Sequence, residues 1–339
     1  MKTITSTLVC LLLTVSAFAT QISVSNSPQN PGQYSSITAA ISAASAGDTI
    51  LVHPTSTSYG NFTVDKKLVI IGGGFNVQKT NPFYTTFGVI TLRASGAGSK
   101  FFGIRVNYTQ DSFSDNNLPI DSLFFEDVYF TSPNGMISNY TYPTNLVVRN
   151  CVLHGADLKQ NVNSSATFSH CIFEGSGPFD SNGSLLVEYC LFQGNNHLDD
   201  VVGGVIQNCI FYDGTMGTPL SLSTFNNCMS FNLTNNTLPP GTNIGSGNQS
   251  GVDPLFVNNP INAAFSFTLD YHLQAGSPAL TAATDGGEIG VYGGPNSTFS
   301  LSGEPLNSPI IRDFTITNAA IPVNGNLDID VTITKPLDE

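Results

Sequence analysis

Apolar residues in this chain come mostly as short runs of three or four, rich in β-branched and aromatic types and broken by Asn, Gly and Ser. Such runs read as short strands joined by tight turns. Between residues 147 and 232 the runs recur at a fixed period. Five cysteines, Cys151, Cys171, Cys190, Cys209 and Cys228, stand 20, 19, 19 and 19 residues apart. Three residues before each lies Val148, Phe168, Val187, Ile206 or Phe225, and one after lies Val152, Ile172, Leu191, Ile210 or Met229. The position two before is always polar: Arg149, Ser169, Glu188, Gln207 and Asn226. Asn150, Asn208 and Asn227 directly precede a cysteine, where Asn suits a left-handed turn. His170 fills the same slot and reads as structural. Ile104 and Val128 hold the cysteine slot in two less regular upstream copies.

A period this short excludes an α-solenoid, which needs longer repeats, and the Leu spacing of leucine-rich repeats is absent. One coil of short strands per repeat predicts an all-β fold, a right-handed parallel β-helix solenoid. Its coils stack about 4.8 Å apart, so equivalent residues form columns. The cysteine column and the two apolar columns beside it are expected inside, with the polar column outside. Column neighbours about 4.8 Å apart are wider than the roughly 3.8 Å between the Cβ atoms of a disulfide, and five is odd. The thiols are therefore read as reduced core residues.

Both ends of a solenoid need caps, because open strand edges aggregate. Ser35 and Ser36 precede Ile37, Ala40, Ile41 and Ala44 at helical spacing, and Gly47 follows as a stop. This predicts a short N-terminal capping helix. Strands are expected at 49–52 and 68–71. The stretch from Ser36 to Val52, with Lys67 to Gly72, resembles the N-terminal cap and first coils of pectin-lyase-like parallel β-helix proteins. Asp253 to Val257, Tyr271 to Ala279 and Glu288 to Gly294 resemble the end of exported bacterial members. The resemblance spans about residues 33 to 294. It implies the fold and leaves the activity open, because that fold carries many chemistries.

Lys2, the apolar run Leu8 to Val15 and Ala17-Phe18-Ala19 have the form of a secretory signal peptide, residues 1–19. The β-helix domain is assigned to 20–296. Residues 297–339 differ: Leu327, Ile329, Val331 and Ile333 alternate with polar residues, Asn324-Gly325 marks a turn, and Ile311 to Thr317 offers a partner strand. This β tail either docks on the last coils or begins an incomplete sandwich. The chain has 339 residues, of which only 10% are charged, at a net −13. Loss of Lys2 with the leader makes the mature charge −14. Such an acidic surface excludes a phosphate-binding face, so no nucleic acid is expected. No second long apolar run follows the leader, so no membrane span is expected, and the chain reads as a secreted or cell-surface monomer.

Candidate chemistry comes from the outward slots. Arg149 and Glu188 lie two before a cysteine; His154, Glu174, Gln193 and Tyr212 lie three after. Arg149, His154, Glu174 and Glu188 are expected on one wall as the catalytic set of a pectate-lyase-like polysaccharide lyase, the activity the resemblance implies. Proton abstraction beside a uronate needs a base and local charge neutralisation, and Arg149 is the best candidate for either. Asp199 and Asp200, read as part of a turn, offer oxygen ligands to Ca²⁺. Trp is absent, so Tyr129, Tyr212 and Phe231 are the candidate sugar platforms. Three readings result: a non-catalytic polysaccharide-binding or adhesion module, a lyase or glycoside hydrolase acting on uronic-acid polysaccharide, and a structural spacer. Scarce basic residues favour the first and third, since a strongly acidic enzyme is poorly built to attract a polyanion.

Overall fold

The computed structural model describes residues 19–76, 83–111, 120–133, 136–138, 143–155, 164–175, 178–181, 183–195, 197–295, 297–305, 310–316 and 329–334. The signal-peptide run and the Asn324-Gly325 turn fall outside these residues. The chain is a parallel β-solenoid with one α-helix among the described residues. One wall stacks in register from Gln21–Val24 and Thr49–Val52 through Leu146–Arg149, Ser165–Ser169, Ser184–Glu188 and Val205–Gln207 to Thr224–Asn226. A corner follows in each coil. Beyond it the second wall stacks Val152–Leu153, Ile172–Glu174, Leu191–Gln193, Ile210–Gly214 and Met229–Leu233. A third face carries Pro178–Ser181, Asp199–Val202 and Leu220–Ser221. The helix, Ile37–Ala43, is capped by Ser36, whose hydroxyl accepts from the Ala39 N–H, and it buries Ile37, Ala40 and Ile41 in the core of the first coils.

The corner is one residue wide. Gly103, Asp127, Asn150, His170, Tyr189, Asn208 and Asn227 occupy it in successive coils, all with φ between 50° and 60°. This left-handed bend resets the in-out alternation of the strand. Val148, Phe168, Val187, Ile206 and Phe225 point inward before it, and the cysteines point inward after it. The residue two after each of the first four cysteines, Leu153, Phe173, Phe192 or Phe211, completes the interior, where Phe173, Phe192 and Phe211 stack face to face, and after Cys228 the place is taken by buried Ser230.

The residue one after each cysteine does not point inward, contrary to the sequence expectation. Val152, Ile172, Leu191, Ile210 and Met229 lie on the outer face of the second wall, at most 1% exposed. They are buried from outside, in a second apolar cluster with Phe256, Tyr271, Ala279, Ile289 and Val291. After the last coils the chain turns back and runs along the corner column toward its own start. Asn227 Nδ2 donates to the Ala282 carbonyl at 2.8 Å, and Asn208 exchanges two hydrogen bonds with Thr284. His170 Nε2 meets the Gly293 carbonyl at 3.0 Å, and Asn150 Nδ2 donates to Thr298 Oγ1 at 2.7 Å. The Phe75 and Asn76 N–H groups then donate to the Ser302 carbonyl. Residues 297–305 thus dock toward the first coils, and not on the last ones. Ile310–Ile316 and Ile329–Thr334 pair as an antiparallel hairpin.

The five cysteines are buried, and none is in a disulfide. Each Sγ lies near a carbonyl two residues back, as Cys190 does to Glu188 at 3.2 Å, and thiols donate there only while protonated. Thiol titration of the denatured, unreduced protein lacking residues 1–19 is expected to count five groups, with almost no reaction before unfolding. A count near one would mean two disulfides.

Asp127 is the acid of the corner column. It is 2% exposed, and its Oδ2 has no partner among the described residues. Burial, then repulsion from Glu126, pushes its carboxyl well above the ordinary range. The folded state therefore holds this proton at a pH where the unfolded chain has released it. Stability contributed here is present below the unfolded carboxylate pKa and falls as pH rises through the folded value. Asn suits this backbone, as it does at 150, 208 and 227. Asp127→Asn is expected to raise the melting temperature at pH 8 and to flatten its decline from pH 5 to 8. A variant equal to the parent at both pH values would contradict the buried acid.

Candidate functional site

The second-wall column one after the cysteine slot changes character along the axis. In the later coils it is apolar and covered by the returning segment. In the early coils the same column, in register, is Thr86, Arg105 and Tyr129. A groove of about 540 Å³ opens there, lined by Thr55, Ser56, Ser58, Tyr84, Thr86, Arg105 and Thr131, with Phe83 at its rim, 42% exposed. It continues into a cavity of about 380 Å³ bordered by Gln29, Asn30 and His53. The lining carries hydroxyls, aromatic faces and one cation, and no carboxylate.

Arg105 is held by aromatic stacking. Its guanidinium carbon lies 5.0 Å from the Tyr84 ring centroid and 5.2 Å from that of Tyr129, within cation–π range. Tyr129 is fixed in turn. Its hydroxyl donates to Glu174 Oε1 at 2.9 Å, and His154 Nδ1 meets the same oxygen at 3.1 Å. Burial raises the Glu174 carboxyl above its ordinary range, opposed by the Tyr129 hydrogen bond and the His154 and Arg105 charges. Burial likewise raises the Tyr129 phenol, so the hydroxyl remains a donor at neutral pH.

The structure divides the other candidate residues. Arg149 and Glu188 lie on the first wall; His154 and Glu174 lie beyond the corner, on the second. The four do not share one wall, because the left-handed residue at 150 or 170 turns the strand between the two slots. Arg149 does not pair with Glu188. Its Nε donates to Glu126 Oε1 at 2.9 Å and its guanidinium sits over the Phe124 ring, while Glu188 accepts from Gln207. Gln193 and Tyr212 anchor the returning segment: Gln193 Nε2 donates to the Ala263 carbonyl at 2.7 Å and the Tyr212 hydroxyl to the Asn259 carbonyl at 2.8 Å. Tyr212 is 3% exposed, and Phe231 packs against the same cluster. Tyr212 therefore offers no open ring face to a sugar, while Phe231 is partly buried.

Asp199 and Asp200 lie in the strand Asp199–Val202, and not in a turn. The Thr218 N–H donates to Asp199 Oδ1 at 2.8 Å, bracing the next coil. His197 is interior, 3% exposed between the Phe192 and Phe211 rings, with Nε2 on the Asp213 carbonyl. Among the described residues no three His, Cys, Asp or Glu side chains converge as a metal site.

Arg105, Tyr84 and Phe83 were not selected from the sequence. A signal existed for Arg105: Ile104 holds the cysteine slot, and a charged successor does not fit the inward column to which the sequence reading assigned that position. Tyr84 and Phe83 precede the regular copies and carried none. No family model matches this chain, and no curated protein matches it.

Proposed function

We propose that this chain is an exported, non-catalytic polysaccharide-binding module of the pectin-lyase-like β-helix type, and that its glycan lies in the groove over Thr86, Arg105 and Thr131. The observation that carries this reading is the lining: hydroxyls from three chain segments beside tyrosine and phenylalanine rings. Sugar rings present apolar C–H faces and hydroxyl edges, and such a surface matches both. The lyase reading has less support. Its best base is tied to Glu126 on the first wall, and its His and Glu are packed together on the second. A glycan-binding panel, run with an absorbance assay for unsaturated uronides on the same samples, tests the reading. Binding with no absorbance gain is expected. Robust release of unsaturated products would reject it.

A further inference from the structure

We propose that the groove recognises an isolated oxyanion substituent, carboxylate or sulfate, on an otherwise neutral glycan, and that Arg105 is the residue that binds it. This deepens the binding reading above and rests on it. The Tyr84 and Tyr129 rings lie 5.0 and 5.2 Å from the guanidinium carbon and limit the motion of its plane. Its N–H donors radiate in that plane, and a fork held in this way matches two oxygens of one anion. Among the described residues Arg105 has no ion pair within 4.0 Å. The nearby acid, Glu174, accepts from Tyr129 and meets His154, and it acts on Arg105 only from beyond ion-pair distance. Glu174 is thereby a positioning residue for Tyr129, and through Tyr129 for Arg105.

The rest of the lining indicates how many charges the ligand carries. Thr55, Ser56, Ser58, Thr86 and Thr131 suit neutral hydroxyls, and there is one cation among them. The chain carries a net −13, so a densely charged polymer is repelled along its length while a single acidic group is not. The ligand class is therefore a neutral backbone with sparse acidic groups, and not a continuous polyanion.

The test is titration calorimetry with five soluble polymers: a neutral β-glucan, the same glucan sparsely carboxymethylated, the same sparsely sulfated, the same densely carboxymethylated, and a polyuronide. The parent protein is expected to bind one or both sparse polymers about tenfold more tightly than the neutral one, the scale of a charge-assisted hydrogen bond. The carboxymethyl and sulfate arms tell the two substituents apart. The dense polymers should bind more weakly than the preferred sparse one at low salt, and gain as salt screens the repulsion. Arg105→Gln should erase the preference, bringing the affinity for the sparse polymers down to that for the neutral one. Arg105→Lys, which keeps charge and length but not the planar fork, should keep part of it. The preference of the parent protein stands as a readout even if Arg105→Gln folds poorly. Equal affinity for neutral and sparse polymers, or tightest binding to the polyuronide at low salt, would overturn the inference while leaving glycan binding intact. Binding to none of the five would remove the binding reading, and this inference with it.

Discussion

Ile206→Asp is expected to abolish cooperative folding. Ile206 is fully buried and faces inward, in register between Val187 of the preceding coil and Phe225 of the next. The substitution places a carboxylate in an apolar column with no partner to pair it. An unpaired buried charge costs on the order of several kcal/mol, a large share of the roughly 5–15 kcal/mol that holds a domain folded. The core of each coil stacks only on its neighbours, so a break at one rung interrupts the interior stacking on either side and leaves the returning segment as the remaining link. Far-ultraviolet circular dichroism should show a broadened, early melt or no folded baseline. An unchanged melting temperature would show that this column faces solvent.

Ile210→Asp is expected to be nearly as damaging, for a different reason. Ile210 lies on the outside of the solenoid, so by its side of the wall alone it should tolerate a charge. It is nevertheless 1% exposed, flanked by Leu191 and Met229 and covered by the returning segment. Gly290 presses so closely that a Cβ there would lie 2.8 Å from Ile210 Cδ1. A carboxylate at 210 must either stay buried or lift residues 279–291 off the wall. Lifting would expose Ile172, Leu191 and Met229 as a contiguous apolar stripe, and such stripes drive association. Loss of thermal stability with concentration-dependent light scattering is the expected outcome. A soluble variant with parental stability would show that this face is open.

The contrast between these two positions shows where the sequence was legible. Repeat spacing exposed the coil, the cysteine column, the inward column that includes Ile206, and the left-handed corner at Asn150, Asn208 and Asn227. These follow from local rules of period and turn chemistry. The column of Ile210 was placed on the wrong side because hydrophobicity reports burial and not the direction from which a side chain is buried. What covers Ile210 lies roughly eighty residues later in the chain, beyond the reach of periodicity. Alternation through the corner held the missing clue: if Cys209 and Phe211 point inward, Ile210 must point outward.

The candidate site was half legible by the same logic. His154 and Glu174 were selected as outward residues and Tyr129 as a sugar platform, and the three meet in one hydrogen-bonded set. Their grouping with Arg149 failed because the corner turns the wall. Arg105 went unselected because the repeat is degenerate in its coil, and Tyr84 because ring stacking across coils leaves no periodic trace.

The most direct test of the account is hydrogen–deuterium exchange of the protein with and without the tightest-binding polymer of the glycan panel. The account predicts ligand-dependent protection at residues 55–58, 83–87 and 104–106, little change at 146–149 and 184–188 of the first wall, and no cleaved polymer in the same sample. Protection centred on Arg149 and Glu188, with the groove segments unchanged, would contradict it.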